Sequence, residues 1–193
     1  MDIQILIANS SHLSYAEEIC LQYEESAKVR GTGIAKRSPE YIKKKMMDED
    51  AMIALNGDHL AGFCYIETFE DKKYVSNSGL IILPEYRRMG IARNLKKQVF
   101  NYARDRYPFA RVFGITTSLA VMRINTELGY HPVTFSELTK DKTFWKGCRS
   151  CSNYAILQNK EFEMCLCTGM LAPSKEESMK VDLSHLIVTE VKS

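Results

Sequence analysis

The chain has no apolar run long enough to cross a bilayer, a single tryptophan, five prolines and no surplus of either charge. Each shortage excludes something. Without about 20 consecutive apolar residues no spanning helix is expected, so no membrane partner is expected either. The opening Met1-Asp2-Ile3-Gln4 lacks the basic stretch and apolar core of a secretory leader, which makes the cytoplasm the expected compartment. Lys and Arg number 26 against 24 Asp and Glu, a formal charge of +2. That balance does not call for nucleic acid as a partner. Ten glycines and five prolines in 193 residues are too few for a collagen-like or low-complexity chain. Six cysteines are too few for a disulfide-dense scaffold, and a reducing compartment keeps them as thiols. What is present, 45% hydrophobic and 26% charged residues, fits one compact domain with a sizeable core.

Periodicity orders the chain. Residues 2–8 read as a strand. Ser10 or Ser11 then caps a helix whose apolar face is Leu13, Ala16, Cys20, Tyr23 and Ala27, broken by Gly31-Thr32-Gly33. Ser38-Pro39 opens a second helix. Asn56-Gly57-Asp58 between two apolar runs is a hairpin signal. A third strand runs from about Tyr74 to Leu83. A helix over 90–104, a strand at Arg111–Thr117 and a helix closed by Gly129 follow. Val133–Leu138, Tyr154–Leu157 and Met164–Met170 read as extended chain. Residues 174–193 read as a charged, loose tail in which His185–Val191 has strand character. The order predicts a mixed α/β (α+β) domain.

The chemistry concentrates at Leu80-Ile81-Ile82-Leu83-Pro84-Glu85-Tyr86-Arg87-Arg88-Met89-Gly90-Ile91-Ala92. An apolar strand runs into a basic, glycine-bearing turn that feeds a helix. Backbone N–H groups at a helix start have no intrahelical partner, and the helix dipole favours an anion there. Gly90 lets a ligand approach, and Arg87, Arg88 and Arg93 add full charges. The pattern suits a pyrophosphate. It is neither a Walker A loop nor a three-glycine dinucleotide fingerprint.

Arg-x-x-Gly-x-Ala after a strand ending in Pro-x-Tyr-Arg resembles the acyl-CoA pyrophosphate loop of the GNAT N-acetyltransferase superfamily, and the order of elements over roughly residues 2–138 is similar to it. The resemblance implies a central, mostly antiparallel sheet flanked by helices, and transfer of an acyl group from acetyl-CoA or another acyl-CoA to a small-molecule primary amine. It implies that Ile81, Ile82, Leu83, Arg87, Arg88, Met89, Gly90, Ile91, Ala92 and Arg93 face the cofactor. Ser118 and Asn125 stand, on the same side, where the family commonly has Asn and Tyr. Many members carry a Glu on the strand before the loop, yet Val75-Ser76-Asn77-Ser78-Gly79 has no carboxylate. Glu67, Glu70 and His131, or a relayed water, are the candidate bases. Many such enzymes pair, so a homodimer is one assembly open to this chain.

A second resemblance concerns the amine. Gly33-Ile34-Ala35-Lys36-Arg37-Ser38, Ile115-Thr116-Thr117-Ser118 and Leu128-Gly129-Tyr130-His131-Pro132-Val133 are similar, in order, to segments of the acetyltransferase domain of N-acetylglutamate synthases. It implies glutamate or a similar acidic amino acid as acceptor, with Lys36 and Arg37 as substrate-binding cations and a place in amino-acid biosynthesis. The alternatives are a polyamine, antibiotic or peptide amine, or a CoA-binding sensor without turnover. Finally, Cys148-Arg149-Ser150-Cys151 and Cys165-Leu166-Cys167 offer four thiols for a structural zinc. Buried free thiols are the plainer alternative. The expected organisation is an acyltransferase domain over 1–140, C-terminal strands with the cysteines over 141–173 as part of the same domain, and a tail over 174–193.

Overall fold

The computed structural model describes residues 2–30 and 35–180. Within them run strand β1 (Ile3–Ile7), a 3-10 turn (Ser10–Tyr15), helices α1 (Ala16–Arg30) and α2 (Pro39–Met47), and strands β2 (Ala51–Asn56), β3 (His59–Phe69) and β4 (Tyr74–Ile82). Then come helix α3 (Ile91–Arg106), strand β5 (Arg111–Thr116), helix α4 (Leu119–Glu127), strand β6 (His131–Val133), short helices α5 (Lys142–Lys146) and α6 (Tyr154–Asn159), and strand β7 (Thr168–Ala172). The strands form one sheet in the order β1-β2-β3-β4-β5-β7-β6. Every neighbouring pair is antiparallel except β4 with β5. This is the mixed α/β, mostly antiparallel architecture expected from the sequence.

Local signals account for the first half. The β2–β3 hairpin turns at Gly57, whose φ of 58° suits a tight two-residue turn. Ser38 caps α2 by accepting from the Tyr41 N–H, with Pro39 in the first turn. Ahead of α1 the capping residue is Asn9 rather than Ser10 or Ser11. Its side chain accepts from the Ser11 N–H, and the His12 ring accepts from the Asn9 N–H in return. β2 is buried at every position but its last, and β3 at most positions. Helix α3 packs on β2, β3 and β4, while α1 and α2 pack on β4 and β2. Strands covered in this way read as continuous apolar runs, not alternating ones.

The second half departs from expectation. Within Val133–Leu138 only the first residue is in strand β6, and Phe135–Glu137 is a 3-10 turn closed by a Thr134–Glu137 capping box. Tyr154–Leu157 begins helix α6 rather than extended chain. A short apolar run does not distinguish strand from buried helix, and here Leu157 is drawn into an aromatic cluster with Phe69, Phe113, Phe135 and Trp145. Of Met164–Met170 only the part from Thr168 is strand, and that strand, β7, lies between β5 and β6. Residues 175–180 are helical rather than loose. Arg111 donates to both oxygens of Glu177, from Nη2 to Oε1 at 2.6 Å and from Nε to Oε2 at 3.2 Å, and that guanidinium keeps the Glu177 carboxyl down at about 2. The Gly31-Thr32-Gly33 break and the strand character of His185–Val191 lie outside the described residues. Among the described residues, no helix is long and apolar enough to cross a membrane.

One irregularity positions everything below. β4 pairs with β5 only through Tyr74, Val75 and Ser76, and beyond Ser76 the two strands part. On its other side β4 bulges against β3 between the Ser78 and Ile81 pairings. Gly79 sits in the bulge with a φ of 65°, its carbonyl accepting from the Tyr23 hydroxyl. A Cβ at Gly79 would collide with the Tyr65 ring and lie 2.7 Å from the Tyr23 hydroxyl. Gly79→Ala therefore combines left-handed strain with overpacking and is expected to cost roughly 2–4 kcal/mol. Urea unfolding checks this, and a loss below about 0.5 kcal/mol would contradict it.

Candidate active site

The parting of β4 and β5 opens a cleft of about 600 Å³. One wall is β4 from Asn77 to Leu80, and the other is the end of β5 at Ile115 and Thr116. α5 and the turn after it add Phe144, Cys148 and Cys151. Buried behind the cleft wall, Ser76 Oγ and Asn125 Oδ1 lack a hydrogen-bond partner among the described residues, while Asn77, which lines the cleft, has its side chain beside the Tyr130 hydroxyl.

Arg37 is held in the cleft from the segment before α2. Its Nε donates to the Tyr65 hydroxyl at 2.7 Å, and its Nη1 donates to the carbonyls of Ala35 and Lys36 at 3.0 and 3.1 Å. The guanidinium also lies 5.6 and 5.9 Å from the Tyr41 and Tyr65 ring centres. Its Nη2 has no partner, and the side chain makes no ion pair, among the described residues. A half-buried cation held this firmly without an anion is a ready carboxylate site. Glu67, on β3, also lines the cleft. It accepts from the Tyr41 hydroxyl at 3.0 Å and faces Lys45 Nζ at 3.4 Å. Burial pushes the Tyr41 hydroxyl well above its usual range, so Tyr41 stays a protonated donor to Glu67. Lys36 lies on the rim, its backbone N–H donating to Ser150 Oγ at 2.8 Å.

The basic loop runs from β4 to α3. Ile81, Ile82 and Leu83 bury their side chains, so what they offer a ligand is backbone. Arg87 reaches back to donate to the Ile82 carbonyl at 3.0 Å. Arg88 and Gly90 adopt φ of 65° and 78°. The first intrahelical bond of α3 is the Asn94 N–H to the Gly90 carbonyl, so the amides of Ile91, Ala92 and Arg93 are open donors. A Cβ at Gly90 would meet nothing within 4 Å, which leaves the approach clear. Arg87, Arg88 and Met89 are exposed around it. This cradle fits a pyrophosphate. Arg93 is already engaged with Glu127 of α4 at 2.9 Å. Ser118 caps α4 through the Val121 N–H, and Asn125 is buried against Met170.

The other expected site residues fall elsewhere. Glu70 is a turn residue with φ of 50° that accepts from Thr139 Oγ1 at 2.8 Å and from the Lys140 N–H, tying down the chain before α5. His131 is exposed on β6, opposite Leu171. The zinc expectation is not met. Among the described residues no group of three or more His, Cys, Asp or Glu could hold a metal ion. Cys148, Cys165 and Cys167 pack against the aromatic cluster around Phe113 and Trp145 as small apolar groups. Burial pushes the Cys148 and Cys167 thiols up to about 11 and 12, and the neighbouring cysteines add to it.

Sequence reasoning missed Tyr23, Tyr41, Tyr65, Asn77 and Lys96 as site residues. Lys96 had a legible signal. It stands four residues before Phe100 and seven before Ala103, on the buried face of α3. The tyrosines had none, because strand or helix spacing does not report which apolar side a cleft opens on.

Residues 20–123, more than half of the chain, match the model of the acetyltransferase (GNAT) family. No curated protein matches in sequence. Among solved structures, N-acetylglutamate synthase from Neisseria gonorrhoeae, complexed with coenzyme A and N-acetyl-glutamate, is similar with a TM-score of 0.64 at 15% identity. The match covers 90% of this chain and 35% of that one, so this chain spans about a third of the synthase's length. A phosphinothricin acetyltransferase from Sinorhizobium meliloti aligns with a TM-score of 0.61 at 13% identity, covering 91% and 90%. The ribosomal-protein alanine N-acetyltransferase of Escherichia coli aligns with a TM-score of 0.57 at 14% identity, covering 90% and 94%. At these identities the likeness is one of fold.

The loop geometry gives a direct expectation. The double variant Arg87→Ala, Gly90→Glu removes one cation and puts a carboxylate where the phosphates would lie. CoA affinity by calorimetry should fall at least tenfold, a loss of roughly 1.4 kcal/mol or more. An unchanged Kd would refute the pyrophosphate assignment.

Proposed function

The chain belongs to the acetyltransferase (GNAT) family, and within it we propose an acetyl-CoA-dependent enzyme whose acceptor is the amino group of a small acidic amino acid, glutamate first. The observation that carries the acceptor is the charge of the cleft. Lys36, Arg37, Lys96, Lys146 and Arg149 line it against one carboxylate, Glu67. The exposed cations Arg87 and Arg88, suited to the phosphates of CoA, do not line this cleft. Of its five cations, Lys36, Arg37, Lys146 and Arg149 are therefore available to the acceptor. A polyamine or a polycationic antibiotic would be repelled by such a lining, whereas a dicarboxylate is drawn to it.

The chain's residues divide the work. The open amides at the start of α3 and the bare edge of β4 hold the donor, whose amide groups that strand edge suits. Bound acyl-CoA supplies a thioester carbonyl to be attacked. Arg37, fixed by Tyr65 and two carbonyls, clamps a carboxylate of the acceptor. Glu67 takes a proton from the amine, its orientation set by the Tyr41 hydroxyl and Lys45. Holding both reactants in one cleft supplies much of the acceleration, for which about 7–11 kcal/mol is available in well-aligned systems.

Mass spectrometry of incubations with acetyl-CoA or succinyl-CoA and a panel of amines tests the reading. N-acetylated glutamate or a close acidic analogue is the expected product. Product only from basic or neutral amines would overturn the acceptor assignment, and no thiol release with any amine would favour the sensor. Arg37→Ala should raise KM for the acidic amine roughly 10–100-fold, from loss of a charge-assisted contact through Nη2, while KM for acetyl-CoA stays within about twofold. Equal effects on both constants would remove Arg37 from the acceptor site.

A further inference from the structure

Lys96 is out of place for a helix that packs on a sheet. It lies on α3 among Leu95, Val99, Phe100 and Ala103, and it is 2% exposed. Its Nζ donates to the backbone carbonyl of Asn77 at 3.0 Å. Asn77 is the first β4 residue past the last pairing with β5. The ammonium thus takes up a carbonyl at the very point where the strands part. An ammonium has three donors. One goes to Asn77, and among the described residues Lys96 makes no other hydrogen bond and no ion pair. A buried, uncompensated ammonium is costly unless something uses it. Lys96 also lines the cleft.

The placement suits the reacting end of the donor. Phosphates cradled at the start of α3 leave the rest of an acyl-CoA to run along the bare edge of β4, from Ile82 back toward Asn77. Five strand residues span roughly 17 Å, about the reach of an extended pantetheine arm. The thioester then arrives where Lys96 is held. Asn125, at the α4 position where family likeness leads one to expect a tyrosine, has no hydroxyl proton to give.

We propose that Lys96 is a catalytic residue, the acid that protonates the sulfur of departing CoA. This rests on the acyl-CoA half of the function above and not on the identity of the acceptor. The amine nitrogen bonds to the thioester carbonyl carbon, and the C–S bond breaks with its electron pair going to sulfur. The surplus proton of the amine goes to Glu67, and the Lys96 ammonium gives a proton to sulfur. CoA leaves as the thiol, the amide remains, and one proton returned through solvent from Glu67 to Lys96 resets both groups. Burial lowers the affinity of Lys96 for its proton, which eases the donation. The titratable neighbours facing it do not oppose this. Cys64 on β3 is held as a thiol, pushed up to about 11, and Tyr130, past α4, is held as a phenol by burial.

The test compares CoA with desulfo-CoA, which lacks the sulfur, by calorimetry on the whole chain. The parent should bind CoA at least about tenfold more tightly, as expected for a charge-assisted hydrogen bond to sulfur. K96M and K96Q should bind the two ligands alike. K96Q retains a donor for the Asn77 carbonyl, so it separates proton donation from support of the strand and serves if K96M fails to fold. With any accepted amine, K96Q should lose kcat about 100-fold or more and keep the parent's Kd for desulfo-CoA. A parent that binds both ligands equally, or a K96Q that keeps the preference or full kcat, overturns the proposal alone. A parent that binds neither ligand overturns the acyl-CoA reading and the proposal with it.

Discussion

The parting of β4 and β5 after Ser76 is the constraint on which the rest of the site depends. Two parallel strands that stayed paired would satisfy each other's backbone and leave no room between them. Here pairing stops after three residues on each strand. The edge of β4 is left bare, Asn77 must find another donor for its carbonyl, and Lys96 supplies it. Every other site feature is arranged around that gap. The bulge at Gly79 swings β4 and is pinned by Tyr23 from α1, and the segment before α2 brings Arg37 over the opening.

Keeping the gap open requires a sheet that does not collapse into it. β7 contributes by pairing with β5 along its whole length on the far side, from Val112 to Thr116, and by carrying β6 in turn. β5 therefore does not need β4 as a partner. The aromatic cluster of Phe69, Phe113, Phe144 and Trp145 braces the same side, with ring centres 4.9–6.0 Å apart where they touch. Helix 175–180 adds a clasp on the start of β5 through Arg111 and Glu177. The C-terminal third thus acts as a buttress, and the cysteines are part of its packing rather than ligands of an ion.

The sequence was most legible where a local rule decided the structure. The glycine turn at Gly57, the Ser38-Pro39 helix start and the strand–basic loop–helix unit around Gly90 each carry their conformation in a few neighbouring residues. The C-terminal region was least legible because its elements are short and chosen by tertiary contact. Tyr154–Leu157 becomes helix only because Leu157 is taken into a distant aromatic cluster. The site divided in the same way. The phosphate cradle follows from one contiguous motif. The cleft instead assembles Arg37, Tyr65 with Glu67, Asn77 and Lys96 from four separate segments, and no spacing rule links one segment to another. Glu67 and Glu70 show the limit most sharply. Three residues apart on one strand and its turn, one faces the cleft and the other anchors the loop before α5.

The separation of charges follows from the same geometry. A diphosphate is met by backbone amides and by arginines free to move on an exposed loop, which suits a group that must arrive and leave. Inside the cleft the cations are fixed: Arg37 by a hydroxyl and two carbonyls, Lys96 by a carbonyl and by burial. Fixed charge in a partly desolvated site reorganises little when charge shifts between reacting groups, and that is where it stabilises a transition state most. The missing carboxylate on β4 fits this pattern. An acidic side chain at Asn77, whose carbonyl Lys96 already meets, would sit near the ammonium and offset its charge. With the carboxylate one strand over, at Glu67, the proposed base stands beside Arg37, the proposed acceptor clamp, and away from Lys96. The two proposed proton-handling groups are thereby kept on different elements, Glu67 on β3 and Lys96 on α3, each with its own partner, so that neither cancels the other before the reactants bind.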